Sequence, residues 1–139
     1  MECNELPAMT GAEMQTYREF LGLSRGWLAQ DLQMGERRMM RMEAGQERIP
    51  NALVSKLDDI AAYTRDTVTD MIAQYRRKSK RTPGEDVFIR SYKTDEAYAA
   101  TPGYSGYPAK WHRMCCARVN EAVPGLVITY DQEPDDPQG

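Results

Sequence analysis

Apolar residues recur every three or four positions over most of this chain and cluster in two short β-branched stretches, the pattern of a mainly helical protein with a little sheet. Met14, Tyr17 and Leu21 share one helical face. The residues just before them, Thr10-Gly-Ala-Glu13, form a capping box: the threonine side chain satisfies an orphan amide and the glutamate reaches back to its partner, so a first helix starts at Gly11. Gly22 suits the left-handed end of that helix, with Leu23 packed beneath the turn. Ser24 caps a second helix over 25–32, which carries Leu28, Ala29 and Leu32 at helical spacing. Gln33, Met34 and Gly35 make a turn. A third helix over 36–44 buries Met39, Met42 and part of Glu43, and leaves Arg37, Arg38 and Arg41 on its free face. Gly45 closes it, and Ile49-Pro50 opens the next, since proline is at home in a first helical turn.

Beyond Pro50, Leu53, Leu57, Ile60, Thr64, Val68, Met71, Ile72 and Tyr75 keep the helical period, which predicts helix to about 77 with a break between Thr64 and Thr67 as an alternative to one long element. The run RRKSKRTPGED ends it, because its charges repel and Pro83-Gly84 is a turn pair. Residues 87–92 and 126–130 read as strands. Between them come a short helix at 95–100, a loop with Pro102, Gly103, Gly106 and Pro108, and a helix over 109–123 stopped by Pro124 and Gly125. A two-stranded sheet is barely stable by itself. Its cover is expected from the long helix or from a second copy of the module.

Residues 10–61 resemble the Cro and phage-repressor type of helix-turn-helix, the XRE-like family, at Arg18, Gly22-Leu23-Ser24, Leu28-Ala29, Met39, Met42-Glu43, Gly45 and Ile49-Pro50. The chain departs from it at Gln33, where the family commonly has glycine, and at Gly35, where it has serine or threonine. The third helix therefore lacks its usual side-chain cap, at a cost of only tenths of a kcal/mol relative to serine. From about 68 to 131 the chain is more loosely similar to the C-terminal part of the anti-CRISPR-associated autorepressors of phages and mobile elements. The shared features there are a long helix after the reader, a short strand, the segment WHRMCCARVNEAV and a final strand. Together these imply an N-terminal arm (1–9), a helix-turn-helix DNA-binding domain (10–62), a connecting helix and basic linker (63–86), a small α+β dimerisation module (87–131) and an acidic tail (132–139). The function they imply is that of a homodimeric, sequence-specific repressor in the bacterial cytoplasm, acting on double-stranded DNA with a palindromic operator.

By that resemblance, Glu36, Arg37 and Arg41 stand at base-contacting positions, with Arg38 beside them. Arginine offers a bidentate fork to guanine O6 and N7, so guanine-containing half-sites are expected. Glu36 either accepts from a cytosine amino group or favours the helix N-terminus electrostatically. Arg25 stands where the family contacts phosphate, at a helix end whose amides attract anions anyway. In related domains the counterparts of Arg18 and Glu43 form an internal ion bridge, which makes this pair structural. Arg48, Arg76, Arg77 and Lys78, with Lys80 and Arg81 nearby, are further candidates for phosphate contact. The bland reading of every one of these cations is a solvated surface.

Trp111, Cys115 and Val119, with Met114 and Ala122, make an apolar stripe suited to an interior or an interface; with Val127 and Ile128 they form the expected dimer contact. His112, Cys115 and Cys116 share a helical face, but zinc needs about four donors and Cys3 is the one other thiol, so no metal site is expected. A lone histidine, with neither an activated serine nor a Gly-rich phosphate loop, leaves catalysis and cofactors without a candidate. The rival class is a protein-binding effector that keeps the helix-turn-helix as scaffold and targets a host protein through Tyr92, Tyr98, Tyr104, Tyr107 and Trp111.

A chain of 139 residues can bury one modest core. Its formal charge of −3 argues against a nucleic-acid partner until the charges are located. The last nine residues, DQEPDDPQG, hold four acids and no base, so residues 1–130 carry 18 basic against 17 acidic groups. Such an end is expected to be disordered and solubilising, with mimicry of DNA charge as the sharper alternative. No apolar run approaches the roughly 18 residues that span a bilayer, and MECNELPAM lacks a basic n-region and an apolar h-region. The odd set of three cysteines implies no disulfide framework.

Overall fold

The computed structural model describes residues 8–131. The expectations for Cys3, for most of the N-terminal arm and for the acidic tail lie outside those residues. The chain is mainly helical and divides into two compact units, Met1–Ala62 and Tyr63–Gly139.

The first unit contains α1 (Gly11–Phe20), α2 (Arg25–Asp31), α3 (Glu36–Glu43) and the start of α4 (Asn51–Arg81). Each of the first three helices ends in the same device. In a Schellman turn the second residue past the cap donates to the carbonyl of the helix's third-last residue, and a left-handed residue sits between them. Leu23 N donates to Arg18 O (3.0 Å), Met34 N to Ala29 O (2.9 Å) and Gln46 N to Arg41 O (2.8 Å). The left-handed residues are Gly22 (φ 72°), Gln33 (φ 57°) and Gly45 (φ 79°). The helix starts are equally local. Thr10 and Glu13 make both bonds of the capping box, the Ser24 side chain accepts from Trp27 N, and Gly35 caps α3 without a side-chain bond. Met14, Leu28, Met39 and Met42 are fully buried between these helices.

α3 packs on both α1 and α2. At the α1 contact the approach is so close that a Cβ on Gly11 would lie 2.5 Å from Glu43 O and against Met42 O as well. Gly11 is thus more than the first residue of a capped helix: its missing side chain is what lets α1 meet the end of α3.

In the second unit α4 runs on to Arg81, past the point near 77 where the apolar period fades. The break considered between Thr64 and Thr67 does not occur. Thr64 is buried and accepts a hydrogen bond from Trp111 Nε1 (2.9 Å), while Thr67 Oγ1 donates to Tyr63 O (2.9 Å) within the helix, so both hydroxyls are used without opening the backbone ladder. The strands β1 (Val87–Ser91) and β2 (Leu126–Tyr130) pair in parallel, Val87 opposite Leu126 through Ser91 opposite Tyr130. Parallel pairing needs a long crossover. It is supplied by α5 (Asp95–Ala99) and α6 (Ala109–Ala122).

α6 lies on both strands and is the main cover of the sheet. This corrects the expected dimer contact. Trp111, Cys115 and Val119 are 1%, 0% and 0% exposed in a single copy, because the stripe of α6 is spent on the sheet and on α4. Val127 is half-buried, and Ile128 remains 40% exposed.

Candidate nucleic-acid interface

The site is built around one buried carboxylate. Glu43, on the last turn of α3, has a side chain only 3% exposed, and it receives Arg18 from α1 and Arg25 from α2. Arg18 Nε donates to Glu43 Oε2 (2.7 Å) and Nη2 to Oε1 (3.1 Å), a bidentate fork; its Nη1 donates to Leu23 O (2.9 Å). Arg25 Nε donates to Glu43 Oε1 (2.9 Å). Burial alone pushes the Glu43 carboxyl up, but the hydrogen bonds and charges of Arg18 and Arg25 outweigh it and hold the group below the usual carboxylate range. The result is a charged, fully engaged hub joining all three helices of the bundle. Sequence reasoning places Arg18 and Glu43 together through the family resemblance alone. It assigns Arg25 to phosphate, whereas the guanidinium has an intramolecular partner and a side chain 35% exposed.

With that hub inside, the opposite face of α3 presents Arg37, Arg38 and Arg41, all exposed, with Met40 between them. Glu36 leans the other way. A Cβ on Gly26 would sit 3.5 Å from Glu36 Oε1, so this carboxylate lies at the first turn of α2, where it also favours the charge on Arg25. A carboxylate at a helix N-terminus is electrostatically favourable, and here it serves a neighbouring helix as well as its own.

Arg38 and Arg41 are joined by a residue the sequence reading does not single out. Glu47 follows the left-handed turn at Gly45; its Oε2 accepts from Arg38 Nε (2.6 Å) and its Oε1 from Arg41 Nε (3.3 Å). Those bonds hold the Glu47 carboxyl below its ordinary range, against a smaller opposing effect of burial. The available signal was weak: an acid two residues past a helix-closing glycine, with arginines one turn apart behind it.

Arg48 is exposed in the same unit. Arg76, Arg77 and Lys78 are exposed at the end of α4, with the Lys78 ammonium 5.1 Å from the centre of the Tyr75 ring.

The other chemical candidates are packed. His112 is held at about 4, by burial first and by Arg113 second, so its ring is neutral near pH 7. Burial pushes Cys115 up to about 11 and Cys116 up to about 12, which leaves both as thiols and not as the thiolates that bind zinc or attack electrophiles. Among the described residues no group of three or more histidine, cysteine or acidic side chains converges as a metal site. No helix of the described residues is long and apolar enough to cross a membrane.

Tyr92, Tyr98, Tyr104, Tyr107 and Trp111 each lie in contact with at least one other ring of the second unit. Tyr107 stacks on Trp111 (4.6 Å between ring centres) and on Tyr63 (5.5 Å), while Tyr98 lies against Tyr92, Tyr104 and His112 at 4.9 to 5.3 Å.

No protein-family model matches the chain, and no curated protein matches it. The functional reading therefore stands on geometry and chemistry.

Proposed function

We propose that this protein is a sequence-specific DNA-binding regulator of the helix-turn-helix kind, acting as a homodimer that represses a phage or mobile-element operon. One observation carries the reading. Glu43 gathers Arg18 and Arg25 on the inner side of α3, and the outer side presents three arginines from a helix whose N-terminal residues are exposed. A recognition helix has these two faces: one locked to the bundle, the other free to enter a major groove and offer donors to base edges. In this reading Arg37, Arg38 and Arg41 reach bases, and Arg25, Arg48, Arg76, Arg77 and Lys78 serve phosphates. Glu36 is better placed to steady the start of α2 than to accept from a cytosine.

Dimerisation, in this proposal, uses the surface around Val127 and Ile128 on β2. A strand at the edge of a small sheet carries unpaired backbone groups, and Ile128 is a large apolar side chain beside them. The protein-binding effector has less to draw on, since Tyr98 and Trp111 are buried and the rings around them pack on each other.

Selection of duplexes from a random pool by the purified full-length protein tests the reading. The expected outcome is an inverted repeat whose half-sites contain guanine, with centres about one helical turn, roughly 34 Å, apart. A selected pool no different from the input would overturn it.

A further inference from the structure

On the reading of α3 as the recognition helix, we propose that Glu47 is a specificity-determining positioning residue. It grips Arg38 and Arg41 by their Nε–H groups and thereby presents their two forks, pre-aimed, to neighbouring guanines.

The geometry is specific in three respects. Arg38 and Arg41 are three residues apart on α3, so their side chains rise on the same face. Both oxygens of one carboxylate are used, Oε2 for Arg38 and Oε1 for Arg41, so a single residue sets the spacing of two guanidinium groups. Among the described residues each bond runs through Nε, which leaves the terminal Nη pair of each arginine to make the two parallel bonds that guanine O6 and N7 accept.

The loop that carries Glu47 is itself fixed. Gln46 N is tied to Arg41 O (2.8 Å) and Gly45 N to Met42 O (3.1 Å), and the chain then runs to the buried Ile49. Glu47 therefore stands on a turn locked to the same helix it serves. A free arginine loses rotamer freedom when it docks on a base, and one already held loses less. The carboxylate also repels the phosphate backbone, so it sacrifices some general affinity for DNA while improving the discrimination between sequences.

The opposite role for the same contacts is that of a mask, with Glu47 neutralising two arginines and weakening every complex. The two differ in sign. The test uses full-length protein, the duplex selected by that protein and a scrambled duplex of equal length. Glu47→Gln cannot accept from both arginines at full strength, and Asp59→Asn removes the same charge from an exposed position on α4. If Glu47 positions the forks, Glu47→Gln lowers the ratio of selected to scrambled affinity about tenfold, the scale of one good bidentate pair, while Asp59→Asn raises both affinities and leaves the ratio unchanged. Thermal melting should show both variants folded. A ratio unchanged or increased in folded Glu47→Gln overturns the proposal and makes Glu47 a bystander or a mask. A wild-type protein with no preference for any duplex is a different failure, that of the DNA-reading assignment itself.

Discussion

Gln33 holds a backbone conformation that costs an L side chain roughly 1 kcal/mol. Among the described residues it is the one non-glycine with positive φ, and it occupies the left-handed position of the turn between α2 and α3. The resemblance drawn from the sequence leads one to expect glycine here; that the chain with Gln33 nonetheless makes the turn is visible in the hydrogen bond of Met34 N to Ala29 O. Gln33→Gly should therefore stabilise the fold by about 0.5 kcal/mol, relief of strain being partly offset by the greater freedom of the unfolded glycine. Urea unfolding measures it, and a lowered midpoint would mean that the Gln33 side chain makes a compensating contact. Glu43 makes the opposite case, a residue whose cost is met by partners. Arg18→Ala should destabilise by about 3 kcal/mol, the lower end for one-sided loss of a buried pair, because Arg25 stays on the carboxylate. The pH dependence has a definite sign. Glu43 is held below its unfolded pKa of about 4.3, so its stabilising contribution is complete above that value and is lost as pH falls through the folded pKa. Wild type should thus lose more stability than Arg18→Ala on acidification below about pH 4. Parallel unfolding midpoints for the two proteins across that range would place the acid sensitivity elsewhere.

At the scale of elements, what was legible was what neighbouring residues decide. The starts of α1 and α2 follow from Thr10, Glu13 and Ser24, and the ends of α1 and α3 from Gly22 and Gly45, all within a turn of the residues they cap. Long-range choices were not legible. In the unbroken α4 the Thr64 hydroxyl is taken up by Trp111, a partner distant in sequence, and the parallel sense of β1 and β2 goes with the crossover through α5 and α6. The stripe on α6 looked equally suited to a core and to an interface, since hydrophobicity at helical spacing does not say whose surface covers it. The candidate site divides the same way: the outward arginines follow from the period of α3, whereas Glu47 and the second role of Arg25 required the fold. If α3 reads DNA, Arg37→Ala and Arg41→Ala should each weaken specific binding about tenfold or more and leave thermal stability nearly unchanged, both side chains being exposed. A lost base contact relaxes specificity at one position, and a lost phosphate contact weakens all sequences about equally. Titrations against selected and scrambled duplexes separate these. Unchanged binding in both variants would remove this face from the interface.

At the scale of the whole molecule the proposed dimer turns on β2, where Ile128 is one of the large apolar side chains left exposed among the described residues. Cutting the chain after Arg81 is an uninformative way to probe dimerisation, because α6 is part of the packing of α4: the cut would strip Trp111 from Tyr63 and Thr64 and expose a core. A point change in the intact chain is cleaner. Ile128 is 40% exposed, so Ile128→Lys places a charge where a second copy would have to bury it, at a position its own chain leaves open to solvent. The proposed dimer should be visible by light scattering at micromolar concentration, and Ile128→Lys should shift it to monomer with an unaltered helical spectrum. Its affinity for a two-half-site duplex should fall at least a hundredfold, to that of one half-site, because linkage no longer holds the second reader at high local concentration. Binding to an isolated half-site should not change, which separates loss of assembly from loss of reading. If wild type is monomeric and binds one half-site as well as two, β2 is not a dimer surface and the repressor proposal loses its geometry. The exposed rim of the second unit, with Ile128 and Tyr104, would then be the place to seek a protein partner.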